Sequence, residues 1–154
     1  MAVEIIEYFD SDNKDNWIRQ IERGSWEAAK YLGRLLRENT LRDLCGPSTR
    51  LFMITENEKL YSFCTLAEQD EINAPEMSPW IGFIFTFPDY RGKHYMTMLV
   101  NYVCDVARSC GAREVFSSPP YDAAELYEKL GFTMFDYSMT TIYGYETSVF
   151  CKKL

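Results

Sequence analysis

A single mixed α/β (α+β) domain is the fold class this sequence predicts: a mostly antiparallel sheet of six or seven strands flanked by about four helices. Three observations predict it. Apolar, β-rich segments alternate with segments of helical spacing in the order β α α β β β α β α β β. No repeat, low-complexity tract or linker divides the 154 residues, so one domain over 1–154 is expected. The chain is 47% hydrophobic and 25% charged, a globular rather than a disordered composition.

The elements follow in order. Residues 3–9 (VEIIEYF) read as a first strand, and SDNKDN supplies cap residues for a helix over 17–23, ended by Gly24. Ser25 is placed to cap a second helix, WEAAKYLGRLLREN, whose Ala28, Ala29, Leu32, Leu35 and Leu36 fall on one face. Residues 49–55 (TRLFMIT) and 60–66 (LYSFCTL), joined by the polar ENEK, read as an antiparallel hairpin. After the polar connector AEQDEINAPEMSP, residues 80–87 (WIGFIFTF) form a near-continuous apolar run, which predicts a strand buried on both faces. Gly82 within it points to a bulge or a close backbone approach.

Pro88 stops that strand. A long helix over about 92–109 carries Met96, Leu99, Val100, Val103, Val106 and Ala107 as its apolar stripe, with Gly111 at its end. REVFS is a short strand, 122–130 a short helix ended by Gly131, and FTMFDYSMT and TSVFCKK are closing strands.

Net charge and composition narrow the function. At −7 the chain should repel phosphate backbones, so nucleic-acid binding is disfavoured and a cationic partner mildly favoured. No apolar run approaches the ~20 residues needed to cross a bilayer, and the acidic opening lacks the pattern of a secretory leader. Five cysteines without a Cys-x-x-Cys pair, and one histidine, give a zinc site little to work with, so no metal is expected. Those cysteines read as reduced, buried thiols of a cytoplasmic protein.

Two stretches carry chemistry. In FTFPDYRGKHYMTMLV (85–100) a buried strand gives way to a loop with Arg91, Gly92 and Lys93, and a helix follows at once. Unpaired N–H groups at a helix start, its positive dipole end and two cations suit an anion such as pyrophosphate. About 30 residues on, AAELYEKLGF sets an aromatic hydroxyl, Tyr127, on a short helix before a strand.

Together these stretches resemble the GNAT superfamily of acetyl-CoA-dependent N-acetyltransferases. That family's cofactor motif is Gln/Arg-x-x-Gly-x-Gly/Ala at a strand-to-helix junction, commonly within P-x-Y-R-G-K-G-I-G; this chain reads P-D-Y-R-G-K-H-Y-M. The later family segment A-x-x-L-Y-x-x-L-G-F is matched by residues 123–132, and the order of elements agrees over nearly the whole chain. Two departures stand out. His94 and Met96 occupy the positions of the two small residues, and Pro120 stands where the family often has asparagine, a lost amide that Ser117 or Ser118 would replace.

The resemblance implies acetyl-CoA as donor, held by Phe85, Thr86, Phe87, Arg91, Gly92, Lys93, His94, Tyr95, Met96, Ser118 and Ala123. It implies strand-like pairing of the pantetheine arm with the 85–87 backbone and an oxyanion-binding N–H around Phe85. A neutral primary amine would attack the thioester directly. Tyr127 is the candidate general acid, since a phenol near pKa ~10 holds its proton at neutral pH and can give it to a departing thiolate. The proton acceptor is open: the 80–87 strand has no titratable side chain, and the connector before it offers Glu68, Asp70, Glu71 and Glu76.

Trp26, Glu71 and Trp80 are the candidate acceptor contacts, and aromatics with carboxylates suit an amine bearing an apolar part or a polycation. A small-molecule amine is the expected acceptor. A protein amine, a longer acyl donor and a non-catalytic acyl-CoA sensor are the alternatives. TIYGYETSVF is apolar and β-rich enough to pair between subunits, which makes a homodimer an expectation.

Overall fold

The computed structural model describes residues 2–154. Seven strands form one sheet in the order β1-β2-β3-β4-β5-β7-β6. They are β1 (Glu4–Glu7), β2 (Arg50–Glu56), β3 (Lys59–Ala67), β4 (Trp80–Thr86), β5 (Glu114–Ser117), β6 (Thr133–Thr140) and β7 (Glu146–Lys153). All neighbours pair antiparallel except β4 and β5, which run parallel. Five α-helices accompany them: α1 (Lys14–Glu22), α2 (Glu27–Arg37), α3 (Leu41–Cys45), α4 (Tyr95–Ser109) and α5 (Ala124–Lys129).

The sheet separates two main cores. On one face α1, α2 and α3 bury Ile21, Leu32, Leu36 and Leu41 against Leu51, Met53, Phe63 and Phe85. On the other, α4 and α5 bury Leu99, Val100, Val103, Ala107 and Tyr127 against Phe52, Ile54, Cys64 and Ile81. α2 and α4 bury most of the stripes that their spacing predicts, with Ala28, Met96 and Val106 half-buried at the margins. The interior strand β3 is buried on both faces, from Leu60 to Ala67.

Several sequence expectations shift. The first strand ends at Glu7, where its carboxylate accepts the Phe9 N–H and turns residues 8–10 into a 3₁₀ turn. Ser25 does not cap α2; Trp26 holds the N-cap position in extended conformation. α3 adds a helix that the sequence pattern does not signal. Four cysteines are buried and Cys110 is exposed, all as free thiols. β4 is not buried along its length. Trp80, Ile81 and Phe85 are buried, but residues 82–84 are half-exposed because the strand's outer side opens onto a cavity. The closing segment also differs from expectation. β7 lies between β5 and β6, so its own edges are spent within the chain, and β6 is the edge strand at this end of the sheet, β1 at the other.

Candidate active site

β4 and β5 register at a single residue pair, Trp80 with Phe116. The Ser117 hydroxyl donates to the Ile81 carbonyl at 2.8 Å, the last bridge between the two strands. Beyond it they part, and β4 bulges. Thr65 registers with Gly82 but Phe63 with Phe85, so β4 has one residue more than β3 between those pairs. Phe83 takes a left-handed φ of 49° there. A mid-strand kink of this kind re-aims the peptide groups that follow.

Phe87 N–H donates to Tyr61 O at 3.0 Å, on the β3 side. Peptide groups alternate sides along an antiparallel strand, so Ile84 and Thr86 present theirs to the opening, and Phe85 and Phe87 do not. Of the three residues expected to pair with a donor arm, Thr86 alone has its peptide facing outward. The peptides next to Phe85, rather than its own, face the open side, where the sequence reading expects an oxyanion donor around Phe85.

The turn after β4 carries the basic loop. Arg91 folds back, with Nε donating to Thr86 O at 2.9 Å and its guanidinium over the Phe85 ring. Gly92, Lys93 and His94 are exposed. α4 starts at Tyr95, later than the sequence spacing suggests, and His94 is its N-cap. No side chain caps it, and the first helical bond runs from Met98 N–H to His94 O at 3.0 Å. The N–H groups of Tyr95, Met96 and Thr97 therefore precede the hydrogen-bonded helix.

His94 has φ 63°, ψ 21°, the left-handed conformation that glycine adopts without strain. Histidine thus keeps the loop shape that the family motif builds with glycine, at a conformational cost of order 1 kcal/mol. Met96 packs with Tyr90 and Tyr95 against the core beneath α4, so its bulk is turned inward.

Beside the splay lies a cavity of about 720 Å³. Trp26 and Tyr31 from the α1–α2 side, Phe83 from the bulge, and Asp70 and Glu71 from the connector line it. Ser117, Ser118, Tyr127, Tyr143 and Tyr145 also line it. Tyr127 is 5% exposed; burial, with Cys64 and Asp70 nearby, pushes its phenol well above the usual value. It therefore carries its proton throughout the neutral range.

The β6–β7 loop folds over the acceptor side. Ile142 N–H donates to Glu71 O at 2.7 Å, Tyr145 donates its hydroxyl to the Glu71 carboxylate, and the Tyr31 and Tyr143 hydroxyls lie 3.2 Å apart. Ser118 donates to Glu71 at 3.1 Å and pairs with Thr147. Among the sequence-predicted contacts, Trp26, Glu71, Ser118 and Tyr127 thus meet in one cavity. Ser118, expected beside the donor arm, has its hydroxyl on Glu71 and Thr147. Ala123 is half-buried in the turn before α5, its N–H spent on Pro120 O.

Trp80 is a correction. It is fully buried, donates Nε1–H to Met77 O at 2.6 Å and packs on Phe116 in a third core cluster. That indole is a structural anchor, not an acceptor contact. Phe83, Tyr143 and Tyr145 are the lining aromatics that the sequence does not single out. The tyrosines of TIYGYE are visible as aromatic signal, but strand-like composition disguises a loop.

A family model for the acetyltransferase (GNAT) family matches residues 14–132. The chain belongs to that family. No curated protein sequence matches it. Among solved structures, it is similar to an acetyltransferase from Streptococcus agalactiae, at 18% identity and TM-score 0.71 over 99% of this chain and 98% of that one. It is similar to aminoglycoside 6′-acetyltransferase type Ii, at 17% identity and TM-score 0.70 over 99% and 97%. It is also similar to the PaiA N-acetyltransferase of Thermoplasma acidophilum in complex with coenzyme A, at 15% identity and TM-score 0.68 over 100% of both chains. At these identities the likeness establishes the GNAT fold. Among the described residues no helix is long and apolar enough to cross a membrane.

Proposed function

We propose that this protein transfers the acetyl group of acetyl-CoA to a primary amine of a small molecule by direct attack, with Tyr127 as general acid. One observation carries the reading. The open side of the β4 bulge, the protonated Tyr127 and an acidic, aromatic-walled cavity meet at the point where β4 and β5 part.

The parts fit the donor and the acceptor separately. Arg91, Lys93 and the first N–H groups of α4 suit a pyrophosphate. The outward peptide of Ile84 and the N–H of Thr86, whose carbonyl already accepts Arg91 Nε, offer a strand edge to an extended amide-bearing arm. An N–H on that edge is preorganised for the charge that develops on a carbonyl oxygen during attack. Tyr127 then holds the proton that a departing thiolate requires. A coenzyme A complex of the Thermoplasma protein, which shares this fold, supports the donor assignment.

The acceptor side favours a small amine over a protein. The cavity is walled on several sides, and the β6–β7 loop closes over it through Glu71 and Tyr31. His94 and Met96, the departures that favour a non-catalytic binding domain, are accommodated by a left-handed N-cap and an inward-turned side chain.

The test is Tyr127→Phe. Thiol release from acetyl-CoA, measured over a panel of small primary amines, should fall in kcat by about 100-fold or more. Calorimetric affinity for CoA should stay unchanged. An unchanged kcat overturns the role of Tyr127. Absence of CoA binding up to millimolar overturns the transferase reading itself.

A further inference from the structure

An amine acceptor is an ammonium ion at neutral pH and has no lone pair to attack with until it loses a proton. Tyr127 cannot take that proton, because it already carries its own. A carboxylate on the cavity wall can take it. Glu146, at the start of β7, lines the cavity but is exposed, and the four connector carboxylates separate clearly by their surroundings.

Glu68 is exposed and accepts the Ser48 N–H at 2.8 Å, which holds its carboxyl below the ordinary value. Glu76 is exposed and does not line the cavity. Glu71 lines it, but its two oxygens accept the hydroxyls of Ser118 and Tyr145. Asp70 differs from all three. One oxygen accepts the Glu71 N–H at 2.8 Å. The other, Oδ2, lies 2.8 Å from the point where a side chain on Gly82 would begin.

Gly82 immediately precedes the bulge, and Thr65 Oγ1 bounds the same notch. The glycine leaves space for the carboxylate beside the strand edge at which attack takes place. The groups facing Asp70 are Glu71 on its own loop, Cys45 from α3, Tyr127 from α5 and Tyr145 from the β6–β7 loop. None is a cation, and among the described residues no lysine or arginine pairs with it.

We propose that Asp70, held in the Gly82 notch, is the general base that removes the proton from the incoming ammonium. The inference rests on the acetyltransferase reading above. The step balances as follows. Asp70 takes one proton from R–NH₃⁺ and releases it to solvent. The freed lone pair forms the C–N bond as the C–S bond breaks. The nitrogen's second surplus proton replaces, through water, the one that Tyr127 gives to sulfur. Products are the amide, a thiol and one released proton.

Burial, with Glu71 beside it, raises Asp70 to about 7, so it changes charge where such a base is useful. Two measurements test the assignment. First, kcat/KM for benzylamine and for phenylhydrazine is followed against pH in the wild type and in Asp70→Asn. The wild type should show a limb near pH 7 with benzylamine. The variant should lose that limb and about 100-fold in rate. The deficit should shrink with phenylhydrazine, which is largely neutral at pH 7 and needs no base to free its lone pair. A structural defect would penalise both acceptors alike.

Second, thermal stability of both proteins is compared across pH without any acceptor. The folded state holds Asp70's proton up to about 7, and the unfolded chain only to near 3.8. Wild-type stability should therefore fall relative to Asp70→Asn as pH rises through that interval. A flat difference overturns the proposal, as does a variant that keeps the limb while the wild type turns over. A wild type that binds CoA and transfers to neither acceptor nor any other amine overturns the transferase reading, and this one with it.

Discussion

On the proposed reading, the donor side of the site is one stretch of chain, residues 84–96, whereas the acceptor cavity takes its walls from segments spread between Trp26 and Thr147. The donor side is basic and exposed, and built largely from backbone, N–H groups at the start of α4 and outward peptides of β4, with the Arg91 and Lys93 side chains adding charge on the loop. The acceptor side is acidic and aromatic, and built from side chains that tertiary packing brings together. A ligand part shared by a whole family is met by backbone geometry, which tolerates sequence change. A ligand part peculiar to one enzyme is met by side chains, which do not. The two sides should therefore fail separately.

Removing the cations on the donor side should produce the largest of these separations. In Arg91→Ala with Lys93→Ala, each lost charge-assisted contact is worth about 1.5 kcal/mol, so CoA affinity should weaken roughly 100-fold. The wild-type affinity should also fall with salt, and the double variant should show a flatter dependence, because both side chains are exposed. The acceptor KM measured at saturating donor should not move. A calorimetric CoA affinity within twofold of wild type would mean that the phosphates lie elsewhere.

Gly82→Ala probes the boundary between the sides with a smaller effect. The new Cβ would stand 2.8 Å from Asp70 Oδ2 and 3.2 Å from Thr65 Oγ1. The aspartate side chain can swing away, so the fold survives and the carboxylate leaves its notch. About tenfold in kcat/KM for the amine should be lost, with CoA affinity and Tm little changed, since small displacements of a reacting group are costly. An amine rate equal to wild type would mean that the notch has no part in turnover.

The same contrast sets what the sequence discloses. The seven strands, the 50–67 hairpin and α4 are legible, because each is a periodic run bounded by Gly, Pro or polar residues. The donor loop is legible because its residues are consecutive. α3 is not, since five residues, LRDLC, are too few to show a period. Trp80 misleads, because an aromatic beside the bulge is equally suited to a core or a pocket until its neighbours are known. Tyr143 and Tyr145 mislead for a related reason. Alternating aromatics imitate a strand, and only the bonds of the loop to Glu71 and Tyr31 mark it as a cover. Asp70 is visible as one of four carboxylates, but what sets it apart is its seat over Gly82, a property of the fold.

His94 is where the two descriptions meet, and it gives the smallest prediction. A loop built from backbone should accept any residue that reaches the required dihedrals. Histidine reaches φ 63° at a cost that glycine does not bear. His94→Gly should therefore raise stability by about 0.5–1 kcal/mol, with part of the relief offset by glycine's greater freedom in the unfolded chain. For a domain of this size that is roughly 2–4 °C in Tm. CoA affinity should hold or improve slightly, because the N–H groups of residues 95–97 keep their places and the approach to them loses an imidazole. If affinity falls while stability rises, the imidazole itself touches the donor, and the backbone account of this loop is incomplete. If stability falls, the left-handed N-cap is not strained, and histidine stands there for a reason other than shape.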